Sequence, residues 1–411
     1  METAQQPNIQ QALPLHLTLA IMPLLASRTA LQLSKHGFPR LSVPLPDMCP
    51  LPIQNLQKAW LDLQSDPLLA EAVEKEAEKR TAELLSGVTN YNRFVFSRDV
   101  AEPPTVLQIG NARLLDYGSA DQNSPVLFLI PSLINRYYIL DLTQKLSFAR
   151  YLRSLGIRVF IVDWGSPSDA EKHFNTGLYV TEILVPMAER IREKTTTDIT
   201  LGGYCMGGLL ALALACIRSD LADNIAFFTT PWDFSTPAFP RFAMQENEIT
   251  ALKASINSRR EIPAELIHIL FHYANPLAFQ NKLREFAHLA HDDQAAHDFL
   301  AVEHWANDGV PMTRGVAEDC LIGWVQHNQP ANKQWHVGGQ IIDPTRLRMP
   351  CFVAAPQDDR IVPSDCALPL AGLLRNCTLI EPHSGHVSMM AGRSRKSALW
   401  EPFCEWLFTK T

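Results

Sequence analysis

The chain has 411 residues, 46% hydrophobic and 19% charged, a composition that fills a large core and predicts one big domain with an insertion, or two domains. A formal charge of −7, with no Lys/Arg run interleaved with aromatics, excludes a nucleic-acid-binding surface, so no nucleic acid is expected as a partner. Eight cysteines scattered without a CxxC pair exclude a zinc ribbon or a dithiol redox site and predict a reduced, cytoplasmic protein.

The apolar stretch LPLHLTLAIMPLLAS, residues 13–27, follows Glu2 and no basic residue. A secretory leader wants a basic start and a membrane span needs about 20 apolar residues, so the stretch reads as a helix packing on the body or on an apolar surface. Pro-rich SVPLPDMCPLP (42–52) and helical LAEAVEKEAEKRTAELL (69–85) complete an N-terminal helical and extended region, 1–104.

From residue 105 short apolar runs alternate with helical segments. VLFLI (126–130) reads as a buried strand, LSFARYLRSLG (146–156) as an amphipathic helix stopped by a glycine, and VFIVDW (159–164) as a strand. A helix over 176–194 leads to the strand DITLGG, a tight turn and an Ala/Leu-rich helix over 206–218. IAFFTT (225–230), MPCFVAAP (349–356) and CTLIEP (377–382) are further strands.

Such alternation predicts an α/β fold with a mostly parallel, doubly wound sheet, its core in two parts, 105–237 and 345–411. Between them, 238–344 shows helical periodicity, as in AELIHILFHYA and LAFQNKLREFAHLA, and reads as a helical cap insertion at the carboxyl ends of the strands.

The turn after DITLGG carries the chemistry. GYCMGG (203–208) places Gly203, Cys205 and Gly207 where the G-x-S-x-G elbow of α/β-hydrolases has its glycines and its nucleophile. The backbone N–H of Met206 then points at a developing oxyanion, with a second N–H from the loop around Leu133–Ile134, and the helix N-terminus favours a thiolate.

In this fold an acid and then a histidine follow the nucleophile. QDDRIVP sets Asp358 and Asp359 after one strand, and HSGHVS sets His383 and His386 after the next. Spacing alone allows either member of each pair. The competing reading, a buried structural cysteine in a glycine-rich turn, does not explain an acid and a histidine in that order.

His268, His272, His288, His291, His297 and His304 fall in the cap segment. His268 and His272 are one helical turn apart, yet no HExxH glutamate and no third ligand accompany them, so no metal is expected. Trp232 and Asp233 in TTPWDF follow a strand at the same end of the sheet, where the Trp reads first as structural and second as a substrate contact.

The chain resembles polyhydroxyalkanoate synthases, which polymerise (R)-3-hydroxyacyl-CoA thioesters. The resemblance covers about residues 105–410 and rests on INRYYILDL (134–142), VDWGSP (162–167), GYCMGG (203–208), TTPWDFSTP (229–237), HWANDGVP (304–311), VGGQIID (337–343), QDDRIVP (357–363) and SGHVS (384–388). The family's frames, G-x-C-x-G-G, D-H-I/L-V/A-P and G-G/S-G-H, select Cys205, Asp359 and His386. Arg360 departs from the usual His, and the cap lacks some family aromatics around 312–325.

The resemblance implies an acyltransferase with a Cys-His-Asp triad, Cys205, His386 and Asp359, and an oxyanion site at the N–H groups of Met206 and Ile134. It implies a CoA thioester as substrate with no cofactor, and a polyester chain as product. It further implies a short-form synthase, a homodimer, a second synthase subunit or granule surface as partner, and a place on the polyester granule in the cytoplasm. The same triad would serve an acyl-CoA thioesterase or polyester depolymerase. A non-catalytic granule protein on this fold would have little reason to keep a thiol in a strained elbow.

Overall fold

The computed structural model describes residues 68–94, 96–118, 124–239, 244–267, 278–289 and 293–409, with Ile21, Leu24, Ser27, Lys58, Asp62 and Asp66. They fall in two compact units, one of Ser97–Ala274 with Ala301–Thr411, the other of Met1–Phe96 with Asn275–Leu300.

In chain order the main elements are α1 (Leu69–Arg93), β1 (Thr105–Ile109), β2 (Ala112–Asp116), β3 (Val126–Ile130), α2 (Phe148–Ser154) and β4 (Arg158–Asp163). A helix α3 follows, Thr176–Leu178 running through a π-helical stretch Tyr179–Leu184 into Val185–Lys194. Next come β5 (Ile199–Tyr204), α4 (Met206–Ile217), β6 (Asn224–Phe228), α5 (Glu246–Asn257), α6 (Ala278–Phe286) and α7 (Gln294–Asn307). Strands β7 (Cys351–Ala354) and β8 (Cys377–Ile380) flank α8 (Ser364–Leu373), and α9 (Glu401–Phe408) closes the chain.

The first unit is built on an eight-stranded sheet in the order β1-β2-β4-β3-β5-β6-β7-β8. β1, β2 and β4 are joined antiparallel, and every other pairing is parallel. Strands β3, β5, β6 and β7 are buried at every position, because helices covering both faces of a parallel sheet demand continuous apolar runs. Helix α4 is buried from Met206 to Ala215 and correspondingly apolar all round. Each Leu it buries is worth about 1.5–3 kcal/mol.

The register sets Ile130 opposite Gly203, Tyr204 opposite Phe228, and Ala354 opposite both Phe228 and Ile380. The chain therefore leaves β5, β6, β7 and β8 at one end of the sheet, where ligands bind in doubly wound folds.

In the second unit α1 lies along α6, with Leu84 and Leu283 in a small cluster and Arg284 paired with Glu83 at 2.6 Å. Gly87 permits the approach, since a Cβ there would stand 2.0 Å from the Leu283 carbonyl oxygen. Phe286 stacks on Phe299 at 4.5 Å.

The mostly parallel α/β sheet read from the sequence is the one observed. The antiparallel pair β1 and β2, which no motif marks, adds to it. Of the segment 238–344, residues 275–300 group with α1 and the remainder with the sheet. Most of the apolar stretch 13–27, most of AELIHILFHYA, and His268, His272 and His291 lie outside the described residues. Among the described residues no helix is long and apolar enough to cross a membrane, and no three His, Cys, Asp or Glu cluster as metal ligands.

Candidate active site

Strand β5 ends in Gly202, Gly203 and Tyr204, and the chain reverses into α4 through a single residue, Cys205. Cys205 holds φ +56° and ψ −126°, a conformation that L-residues avoid and that persists only where its surroundings enforce it. Here they do. The Cys205 N–H donates to the Phe228 carbonyl at 2.8 Å, and its own carbonyl accepts from Gly208 N at 3.0 Å. A Cβ on Gly203 would meet Gly208 Cα at 2.3 Å, and one on Gly207 would meet the Ile130 carbonyl oxygen at 2.0 Å. Only glycine fits either place, and the thiol between them is left partly exposed.

After β7 the turn QDDR separates its two acids. Asp358 is exposed, whereas Asp359 is buried, with Oδ1 accepting from the N–H groups of Ile361 at 2.8 Å and Val362 at 2.9 Å. Its Oδ2 meets His386 Nδ1 at 2.7 Å. After β8, His383 is exposed and His386 buried. The Cys205 side chain interacts electrostatically with the same imidazole, and with Nδ1 taken by Asp359 the ring nitrogen left for chemistry with the sulfur is Nε2. The structure thus brings Cys205, His386 and Asp359 together and leaves Asp358 and His383 exposed to solvent.

Two opposed effects set the charge of His386. Burial pulls its pKa down, but the negative charges of Asp359 and Cys205 and the hydrogen bonds to both outweigh it and hold the pKa up, at about 10. An imidazole of that kind keeps a proton beside the sulfur, which is the condition for a thiolate nucleophile.

Of the two backbone groups read as oxyanion donors, the Met206 N–H heads α4 and has no acceptor among the described residues. The Ile134 N–H is occupied, donating to Ser132 Oγ at 3.2 Å. The Ile134 carbonyl accepts from Val310 N at 2.9 Å, and the Arg136 carbonyl from Trp305 Nε1 at 2.8 Å. Asp308 takes the Tyr138 hydroxyl at 2.7 Å and Arg136 at 3.4 Å. The sequence motifs INRYYILDL and HWANDGVP, separate in the chain, are therefore one clamp around the loop after β3.

Tyr204 is a contact that the motif reading does not reach. Its hydroxyl donates to the His386 carbonyl at 3.3 Å and its ring centroid is 5.4 Å from that imidazole, tying the nucleophile's strand to the base's loop. It stands at an unrestricted position of the G-x-C-x-G-G frame, so no signal marks it.

Residues 125–392 match the model for the alpha/beta hydrolase fold, well over half of the chain. The chain belongs to the alpha/beta hydrolase fold family. Within it, residues 69–152 match the model for the poly-beta-hydroxybutyrate polymerase (PhaC) N-terminus. The hydrolase-fold chain is 25% identical over 301 residues to the poly(3-hydroxyalkanoate) polymerase subunit PhaC of Haloferax mediterranei, covering 72% of this chain and 61% of that protein. To the subunit of the same name from Allochromatium vinosum it is 25% identical over 283 residues, 67% of this chain and 79% of that protein. The Synechocystis subunit is 25% identical over 292 residues, with 69% and 77% covered.

The resemblance drawn from the motifs is borne out by these relatives. The match spans 61% of the length of the Haloferax and Haloarcula proteins.

Proposed function

We propose that this chain is a polyhydroxyalkanoate synthase-like acyltransferase that polymerises (R)-3-hydroxyacyl-CoA at Cys205 with release of CoA. One observation carries the reading: in a chain similar to polymerase subunits, the elbow thiol shares a buried imidazole with a carboxylate whose other oxygen is fully engaged.

His386 Nε2 holds the proton that Cys205 has given up, and the thiolate attacks the thioester carbonyl carbon. The oxyanion is stabilised by the Met206 N–H and by the loop after β3. Its collapse breaks the bond to CoA sulfur, which leaves with the proton from His386. The 3-hydroxyl of a second hydroxyacyl-CoA then gives its proton to His386 and attacks the acyl-Cys205, forming an ester and freeing the thiolate. Asp359 holds the imidazole in the required tautomer throughout. Sulfur exchanges for sulfur in the first step, so acylation is nearly thermoneutral. No cofactor enters this scheme. A homodimer, a second synthase subunit and the surface of a polyester granule in the cytoplasm are the partners and location the reading carries with it.

The test mixes the full chain with (R)-3-hydroxybutyryl-CoA, follows free CoA with a thiol reagent and analyses the acyl product beside Cys205→Ala. CoA release with polymer, absent in the variant, supports the reading. CoA release with free 3-hydroxybutyrate alone assigns the same triad to hydrolysis. If the folded Cys205→Ala protein still releases CoA, the role given to Cys205 is wrong.

A further inference from the structure

We infer that the hydroxyl of Ser132 is a donor to the oxyanion, standing in for the Ile134 N–H behind it; this inference rests on the acyl-transfer reading of Cys205.

The geometry begins with the approach of two backbones. Gly207, in the first turn of α4, packs so close to the exit of β3 that an added Cβ would lie 2.0 Å from the Ile130 carbonyl oxygen and 2.7 Å from that of Pro131. The Pro131 carbonyl is fixed in turn by Trp164 Nε1 at 3.1 Å. Ser132, the next residue, therefore sits beside the elbow, and its Oγ donates to Met206 Sδ at 3.8 Å. The Ile134 N–H cannot turn toward the thiol on its own. It is spent on Ser132 Oγ at 3.2 Å, while the Ile134 carbonyl is held by Val310 N and the Arg136 carbonyl by Trp305.

A hydroxyl that accepts one hydrogen bond still has its own proton to give. In the resting enzyme that proton goes to a thioether, one of the weakest acceptors in a protein. A charged oxygen forming next to Met206 is a far stronger acceptor, so a rotation about the Ser132 side chain redirects the proton to it. The Ile134 N–H behind the hydroxyl then polarises the chain N–H···O–H···O⁻, in which each bond strengthens the next. No proton is transferred and no backbone moves.

The test separates oxyanion binding from nucleophile reactivity. Alkylation of Cys205 by iodoacetamide is a displacement at carbon and forms no oxyanion, whereas acylation by (R)-3-hydroxybutyryl-CoA does. Rapid-quench mass analysis of acyl-Cys205 is compared with the alkylation rate in wild type, Ser132→Ala and Ser132→Thr. Loss of one oxyanion donor predicts acylation slower by about 10²- to 10³-fold in Ser132→Ala, near wild type in Ser132→Thr, and alkylation unchanged in all three.

Acylation at the wild-type rate in Ser132→Ala would overturn the inference and return the role to the backbone, where the Leu133 N–H has no acceptor among the described residues. Faster acylation would make the hydroxyl an obstacle to Ile134. Equal slowing of acylation and alkylation would reduce Ser132 to a support of the elbow. If wild type is alkylated at Cys205 but never acylated there, the acyl-transfer reading itself fails and takes this inference with it.

Discussion

Replacing Asp359 by Asn tests the site through both stability and turnover. The folded protein holds the His386 pKa at about 10 against an ordinary 6.5, burial opposing the rise and Asp359 and Cys205 producing it. A group whose pKa rises on folding contributes stability that is fully present below its unfolded value, near pH 6.5, and is lost as pH climbs through about 10. At about 1.4 kcal/mol per pH unit the contribution is a few kcal/mol, and it belongs to the coupled Cys205–His386–Asp359 group and not to one residue. His386 is only 7% exposed, so solvent screens little of it.

In Asp359→Asn the amide oxygen stays with the N–H groups of Ile361 and Val362, which turns the NH2 toward His386 Nδ1. Nδ1 must then accept, Nε2 carries the proton, and the ring can no longer take one from Cys205. The charge that raised the pKa is also gone, leaving burial to lower it.

Urea unfolding of wild type and variant at pH 6.5 and pH 10 should therefore show a larger pH-dependent loss in wild type, since groups outside the Cys205–His386–Asp359 set titrate alike in both proteins. CoA release should fall about 10²- to 10⁴-fold. Equal losses of stability in the two proteins would refute the ionic coupling of His386 and Asp359.

Other expectations follow from the same geometry. Near pH 7.5 iodoacetamide should modify Cys205 well before Cys216 and Cys377, whose thiols burial pushes up to about 11; peptide mapping of a brief exposure reads the order. Gly207→Ala should cost more than about 3 kcal/mol in urea unfolding or abolish folding, because the added methyl would meet a backbone carbonyl that no side-chain rotation can relieve. Thr229 is β-branched at φ +51° with a buried, unpartnered Oγ1, so Thr229→Gly should raise stability by about 1 kcal/mol after its entropic cost; a loss would show that the hydroxyl has a partner in solution.

The core strands were legible because a sheet covered on both faces writes unbroken apolar runs. VLFLI is observed as β3, Val126–Ile130, residue for residue. The hairpin β1 and β2 was not, since its exposed and half-buried positions break that pattern. Helix α1 runs on from the predicted 69–85 to Arg93, the extra turns carrying Gly87 at its crossing with α6, a long-range reason to be helical that periodicity does not contain.

By itself the sequence determined the glycine-flanked thiol and the order of nucleophile, acid and histidine, since each is a local requirement of a turn or a strand end. Tertiary structure decided between near neighbours. Asp359 and His386 are buried facing one another while Asp358 and His383, one and three residues away, point to water. It also decided that the Ile134 N–H is spent on Ser132 and that Tyr204 reaches the His386 carbonyl. Those choices depend on which way a side chain faces and what meets it from a distant part of the chain, and spacing along a sequence carries no information about either.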